Sequence, residues 1–289
     1  MTMAMQAPVD HALRFLCCPH CCGTFHRRAG AILCDRGHAF DVARQGYVNL
    51  LGTTVPVNAD DASMVEARVR FLGAGLFAPL AEAIARLAAQ ATKHLSARDT
   101  CILDVGAGHG FYLSRVLDRC KGFTGVALDI SRFAARRAAR CHARAAAVVA
   151  DAARALPLGA QVAALILSVF APRNLPEFRR VLDARGSLLV VTPGADHLAS
   201  LRGPLGLLDI EANKDDKLRS RASRDFLLTH EEHLAFELSL GRADALDLVS
   251  MGPSAHHLRA DERKTRVAGL AEPITTRASF GLRLFRPRY

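Results

Sequence analysis

Cys101-Ile102-Leu103-Asp104-Val105-Gly106-Ala107-Gly108-His109-Gly110 is the stretch from which the rest of the chain is read. Its apolar start predicts a buried strand, its three alternating glycines a tight turn, and residues 111 to 117 the start of a helix. A cofactor can lie against a backbone only where no Cβ intervenes, and such a turn needs backbone angles that other residues resist. In an open α/β sheet this turn sits at the carboxyl end of the first strand, where ligands bind. A dinucleotide and S-adenosylmethionine are the two ligands considered. The dinucleotide fingerprint spaces its glycines G-x-G-x-x-G, whereas here they fall at 106, 108 and 110, with phenylalanine at 111.

Carboxylates follow at the places a nucleoside would need them. The run Val126-Ala127-Leu128 ends in Asp129, about twenty residues on, positioned for ribose hydroxyls. The next run, Ala146-Ala147-Val148-Val149-Ala150, is closed by Asp151, positioned for an adenine amino group. Alone, a strand-terminal aspartate reads as a helix cap. Asp104, Asp129 and Asp151 at three successive strand ends read together as a cofactor cradle.

The 289 residues allow one large domain with a small one, and 50% apolar composition is ample for a packed core. No apolar run reaches the roughly twenty residues that cross a bilayer, and the first residues lack the pattern of a signal peptide. The expectation is a cytoplasmic protein with no membrane partner. A net charge of +10 favours a polyanionic partner without naming one.

Of the eight cysteines, five crowd between positions 17 and 34, which in a cytosolic chain argues for metal rather than disulfides. Cys18, Cys21, Cys34 and His38 form C-x2-C, twelve intervening residues, then C-x3-H. Two such knuckles can close a tetrahedral Zn²⁺ site with no position left open for chemistry, so the metal would be structural. Cys17 and Cys22 flank the first knuckle and could replace Cys18 or Cys21. The Cys18-Pro19-His20-Cys21 turn favours the inner pair.

Taken in order, residues 1 to 13 read as a short polar lead-in and 52 to 62 as a linker. Residues 63 to 71 predict an amphipathic helix capped by Ser63, and an alanine-rich helix should run to about 95. Further strands are expected at 162 to 169 and 188 to 192, and helices at 176 to 184 and 197 to 208. Residues 209 to 225 read as charged and exposed. Arg132, Arg136, Arg137, Arg140 and Arg144 fall along one predicted helix, and their spacing by itself reads as a solvated face.

Asp104 heading Asp-x-Gly-x-Gly-x-Gly resembles motif I of Rossmann-like methyltransferases. The metal pattern, the Gly37-His38-Ala39-Phe40-Asp41-Val42-Ala43-Arg44-Gln45-Gly46-Tyr47 run, the Ala67-Arg68 to Phe71-Leu72-Gly73 stretch and the glycine turn together resemble the bacterial 23S rRNA guanine-N1 methyltransferases. Val169-Phe170-Ala171-Pro172-Arg173-Asn174 and Met251-Gly252-Pro253-Ser254 extend the likeness over nearly the whole chain and are similar to the subgroup linked to tylosin and mycinamicin resistance. The resemblance implies an α/β fold: a Rossmann-like class I methyltransferase domain preceded by a small zinc-binding domain. Its expected divisions are a zinc-binding RNA-recognition domain at 1–50, linker and lid helices at 51–80, and the catalytic domain at 81–289. It also implies S-adenosylmethionine and Zn²⁺ as cofactors, a 23S rRNA hairpin as substrate, a homodimer, final antiparallel strands at 226 to 240 and 279 to 285, and cofactor contacts from Phe77, Gly108, His109 and His197. Phe77 stands where some relatives carry tyrosine, and His109 where some carry glutamate. Arg173 and Asn174 lie on the loop that holds the acceptor in related enzymes and have the chemistry to meet a guanine edge. No general base is assigned. Arg27, Arg28, Arg36 and Arg44 make the zinc segment the expected docking module for RNA.

Overall fold

The computed structural model describes residues 8–52, 59–210 and 214–288. A short helix α1 (Pro8–Ala12) and a 3-10 turn (Leu13–Phe15) lead into a three-stranded antiparallel sheet, β1 (Phe25–Arg28), β2 (Ala31–Cys34) and β3 (Ala39–Asp41). Then come β4 (Tyr47–Asn49), α2 (Ala62–Gly73) and α3 (Ala78–Thr92). The central unit alternates β5 (Cys101–Val105), α4 (Phe111–Arg119), β6 (Thr124–Asp129), α5 (Arg132–Ala138), β7 (Ala145–Val149), β8 (Ala163–Val169), α6 (Leu175–Val181) and β9 (Leu182–Pro193). The chain closes with α7 (Ala199–Leu205), α8 (Lys214–Ala222), β10 (Phe226–Leu240), α9 (Arg242–Met251), α10 (Ala260–Ala268) and β11 (Ile274–Pro287).

The main sheet runs β10-β11-β9-β8-β5-β6-β7-β4, parallel from β9 to β4, with β10 and β11 antiparallel at the far side. β5 is buried along its whole length, as an apolar strand covered on both faces should be. Its side chains alternate between two cores. Ile102 packs with α3 and α4 on one face, while Cys101, Leu103 and Val105 pack with α1, α6 and the zinc segment on the other. β5 pairs with β6 on one side and β8 on the other, so the chain reverses its progress across the sheet there. The crevice above that reversal is where open α/β sheets bind ligands.

Several expectations need correction. The lead-in is not polar throughout: Val9, Ala12 and Leu13 are buried against the sheet, and residues 1–7 lie outside the described residues. Asp61, not Ser63, caps α2, accepting the Met64 N–H at 2.9 Å, and its carboxylate outcompetes the Ser63 hydroxyl, which donates to it instead. α5 ends at Ala138, so Arg140 and Arg144 lie beyond it. Arg144 turns back to donate to the carbonyls of Leu117, Cys120 and Phe123. α8, within the stretch read as exposed, buries Leu218 and Ala222, while 211–213 and the linker residues 53–58 lie outside the described residues. β4 reaches from the zinc segment into the main sheet, pairing Val48 with Val148, so the boundary set at residue 50 falls just after a shared strand. Among the described residues, no single helix is long and apolar enough to cross a membrane.

Candidate metal centre and cofactor site

The metal centre is built by two backbone turns. In the first, the Cys18 N–H bonds to Gly23 O and the Cys22 N–H to Cys18 O; in the second, the Cys34 N–H bonds to His38 O and the Gly37 N–H to Cys34 O. The β1–β2 hairpin sets Cys34 opposite Phe25, beside the first turn. The ligand atoms of Cys18, Cys21, Cys34 and His38 then lie within 4.8 Å of one another. Tetrahedral Zn²⁺ with bonds of about 2.3 Å to sulfur and about 2.0 Å to nitrogen would separate neighbouring ligands by roughly 3.8 Å (S to S) and 3.6 Å (S to N). The protein holds Cys21 Sγ 3.7 Å from Cys34 Sγ, and His38 Nδ1 3.6 Å from Cys18 Sγ and 3.3 Å from Cys34 Sγ. The donor set fits Zn²⁺. Cys22, at a φ of 58°, is exposed, and neither it nor Cys17 belongs to the cluster. His20 stacks on Phe40 at 5.7 Å, with Phe25 edge-on to the same ring, and lies 5.1 Å from the His38 ring.

The second site is a cavity of about 1070 Å³ at the carboxyl ends of β5, β6, β8 and β9. Its floor is the glycine turn. Gly106 sits at a φ of 68° and a Cβ there would lie 2.6 Å from the Ala171 Cβ, so only glycine lets β5 pass beneath the β8 loop. The Gly106 and Ala107 N–H groups bond to Leu128 O. Asp129 completes the tie: Oδ2 accepts the Gly108 N–H at 2.7 Å and Oδ1 the Ser131 N–H at 2.8 Å.

Asp104 is buried beneath this turn and its Oδ2 finds no hydrogen-bond partner among the described residues. Burial, with Asp129 alongside, pushes its carboxyl up to about 8. Burial lifts Asp129 to about 6 against the opposing pull of its two N–H bonds. A cationic ligand that ionises both acids relieves this directly. S-adenosylmethionine carries a sulfonium and an ammonium, and its nucleoside matches the cradle, so the residues present fit it.

The other proposed contacts sit around the same cavity. Phe77 begins α3 after a break that turns the chain by 85° from α2, and its buried ring meets Phe71, His197 and Phe280. The His197 Nδ1 accepts the Ser279 N–H at 3.1 Å. Burial first, then Arg202, holds His197 down to about 4, so the neutral ring carries its proton on Nε2. His109 is likewise held down to about 4 by burial and nearby arginines, and its Nδ1 is buried without a partner among the described residues. Asp151 lines the cavity while its Oδ1 caps the following turn at the Ala153 N–H. Gly110, at a φ of 83°, closes the turn and starts α4.

The two acceptor-loop residues part company. Arg173 lines the cavity. Asn174 does not: its Oδ1 caps α6, and its amide donates to the carbonyls of Ala153 and Arg154, binding the Asp151 loop to the β8 loop. Two further groups had no prominence in the sequence. Asp60 and Arg68 both line the cavity and pair with each other, Arg68 also donating to Met251 O at 2.5 Å, and Ser131 Oγ holds the Asp60 carbonyl at 2.6 Å. Asp60 sits in the stretch read as a linker, where no local signal marks it. The opposite wall comes from α9 and the turn after it, including Met251, Ser254 and His257.

A zinc-ribbon segment packed on a Rossmann-like sheet, with an acidic, glycine-floored cavity at its switch point, defines a class I methyltransferase. A family model described as the RlmA N-terminal zinc ribbon matches residues 16–59. A Streptomyces fradiae 23S rRNA (guanine(748)-N(1))-methyltransferase is 44% identical over 261 residues, covering 90% of this chain and 92% of that protein. A Micromonospora griseorubida protein assigned as a 23S rRNA (guanine-N(1)-)-methyltransferase is 43% identical over 289 residues, covering 95% and 98%. The solved structure of MccD protein shares the fold, with a TM-score of 0.50 at 16% identity over 73% of this chain and 98% of that one. The chain belongs to the 23S rRNA (guanine-N1)-methyltransferase family.

Proposed function

We propose that this protein transfers a methyl group from S-adenosylmethionine to N1 of a guanine in a domain II hairpin of 23S rRNA, near the peptide exit tunnel. The observation that carries this is the cavity itself: an unmet buried carboxylate beneath a glycine turn, with a ribose-placed acid beside it, in a chain whose likeness to rRNA guanine-N1 methyltransferases spans the zinc ribbon as well. The donor supplies an activated methyl group, so the protein's part is to place the acceptor in line and exclude water. Asp104, Asp129 and Asp151 hold the donor, and Phe77 and His197 back it. N1 of guanine must give its proton to a base for the new bond to form, and charge builds on O6 to the extent that the proton leaves first. Arg173, at the cavity wall, is placed to stabilise that charge; Asn174 holds the loop that presents it.

The zinc segment, carrying Arg27, Arg28, Arg36 and Arg44, docks the hairpin, the helices between it and the sheet close over the donor, and the remainder performs the transfer. We further propose a cytoplasmic homodimer whose product protects ribosomes from tylosin-type macrolides. The second reading is methylation of the neighbouring housekeeping guanine in the same hairpin. Mass mapping and primer-extension stops on rRNA from strains with and without the gene separate the two. Incubating purified protein and donor with hairpin transcripts, then analysing nucleosides, tests the reaction itself. Absence of 1-methylguanosine on every transcript, with donor binding intact, would overturn it.

A further inference from the structure

A second groove, of about 480 Å³, lies between α2, α4 and α5. Arg136, Arg137 and Arg140 form one wall and Phe111 and Phe133 stand among them. Two more guanidiniums border it, Arg115 lying 5.7 Å over the Phe111 ring and Arg132 5.1 Å over the Phe133 ring. Several arginines elsewhere are neutralised by carboxylates, as in Arg70 with Asp247, Arg86 with Glu232 and Arg180 with Glu177. Among the described residues, only Arg137 of the groove has a carboxylate, Glu66 at 3.7 Å, and both side chains of that pair are more than half exposed. Arg136 and Arg140 have no ion pair among the described residues. Cations at the end of a helix are favoured by its dipole, which accounts for Arg136 and Arg137 on α5. It does not account for Arg140 beyond the helix, nor for two half-buried phenylalanines lining the same groove.

Guanidiniums that can fork onto phosphates, interleaved with aromatic faces on which bases can stack, are what a single nucleic-acid strand requires. His109 and Phe111 line both this groove and the cofactor cavity, so the two adjoin. We propose that the groove holds the single-stranded loop segment flanking the target guanine, with phosphates on Arg136, Arg137 and Arg140 and a base against Phe133. The proposal rests on the rRNA-methyltransferase function above and adds to the zinc segment a second RNA contact, on the catalytic unit.

The test uses the full-length, zinc-loaded protein and a hairpin transcript. The paired substitution R136Q/R140Q should raise the KM for RNA about tenfold or more at physiological salt and leave kcat and donor affinity unchanged. It should also flatten the slope of log affinity against log salt by about 1.4, since each lost phosphate contact on a single strand is worth about 0.7. R136K/R140K should restore the slope, and Phe133→Leu should weaken binding about fivefold or more with the slope unchanged. Arg136 and Arg140 are exposed and Phe133 is half-buried, and unchanged melting temperatures establish that the variants fold. A wild-type slope in R136Q/R140Q, with wild-type protein still methylating the hairpin, overturns the groove alone. If wild-type protein neither binds nor methylates the transcript, the functional proposal falls and this one with it. Arginine-dependent binding to phosphatidylserine vesicles in place of RNA would also overturn it.

Discussion

Replacing Asp104 by asparagine removes a titratable proton and little volume from a fully buried position. In the unfolded chain this carboxyl titrates near 3.8; folded, burial and the Asp129 carboxylate lift it to about 8. Between those values the unfolded state releases its proton first, so it binds fewer protons than the native state and stability falls as pH rises. The contribution is complete below about 4 and lost as pH climbs toward 8. At 1.36 kcal/mol per unit, the part lost between pH 5 and pH 8 is about 4 kcal/mol. Asp104→Asn does not titrate, so the wild-type decline over this interval should exceed the variant's by that order. Urea denaturation of donor-free, zinc-saturated protein at half-unit steps from pH 5 to pH 8 measures both. The variant should become the more stable of the two at alkaline pH while holding S-adenosylmethionine at least tenfold more weakly. Parallel stability curves for the two proteins, or undiminished donor affinity, would refute the reasoning.

Asp129→Ala should weaken donor binding at least tenfold in calorimetry and, by orphaning the Gly108 and Ser131 N–H groups, lower stability by about 2 kcal/mol; a loss of affinity with unchanged stability would mean those bonds are dispensable. Gly106→Ala places a Cβ 2.6 Å from the Ala171 Cβ at a left-handed φ, costing about 2–4 kcal/mol by overpacking and strain, visible as a lower melting temperature and an empty donor site. Cys34→Ser should release metal, read by elemental analysis, and impair hairpin binding more than donor binding. Equal losses in both would mean that the ribbon supports the catalytic sheet rather than delivering RNA.

The central sheet was legible because its signals are local: an apolar run, a glycine turn and an acid at each strand end are adjacent in sequence. The metal set was legible for the same reason, and the Cys18-Pro19-His20-Cys21 turn identified the inner cysteines that the structure brings together with Cys34 and His38. Asp60 and Arg68 were not, because only the packing of α2 against α9 and the glycine turn brings that pair to the cavity. Asn174 looked like a partner of Arg173, yet a short polar side chain at a helix start finds backbone N–H and carbonyl groups first. The arginine series misled through length: α5 stops at Ala138, and the chain bends there to enter β7, which separates Arg144, tied to three carbonyls, from the groove. The polar look of residues 8 to 13 concealed Val9 and Leu13, whose burial depends on a sheet more than ninety residues away.

β4 shields the backbone rim of β7, a strand of three alanines and two valines. Unshielded, that rim is a template for pairing between molecules. Because β4 follows directly on the ribbon whose ligand set fits Zn²⁺, stripping the metal with a chelator is expected to bare this rim, and light scattering of the stripped protein should then rise while the catalytic sheet is still folded.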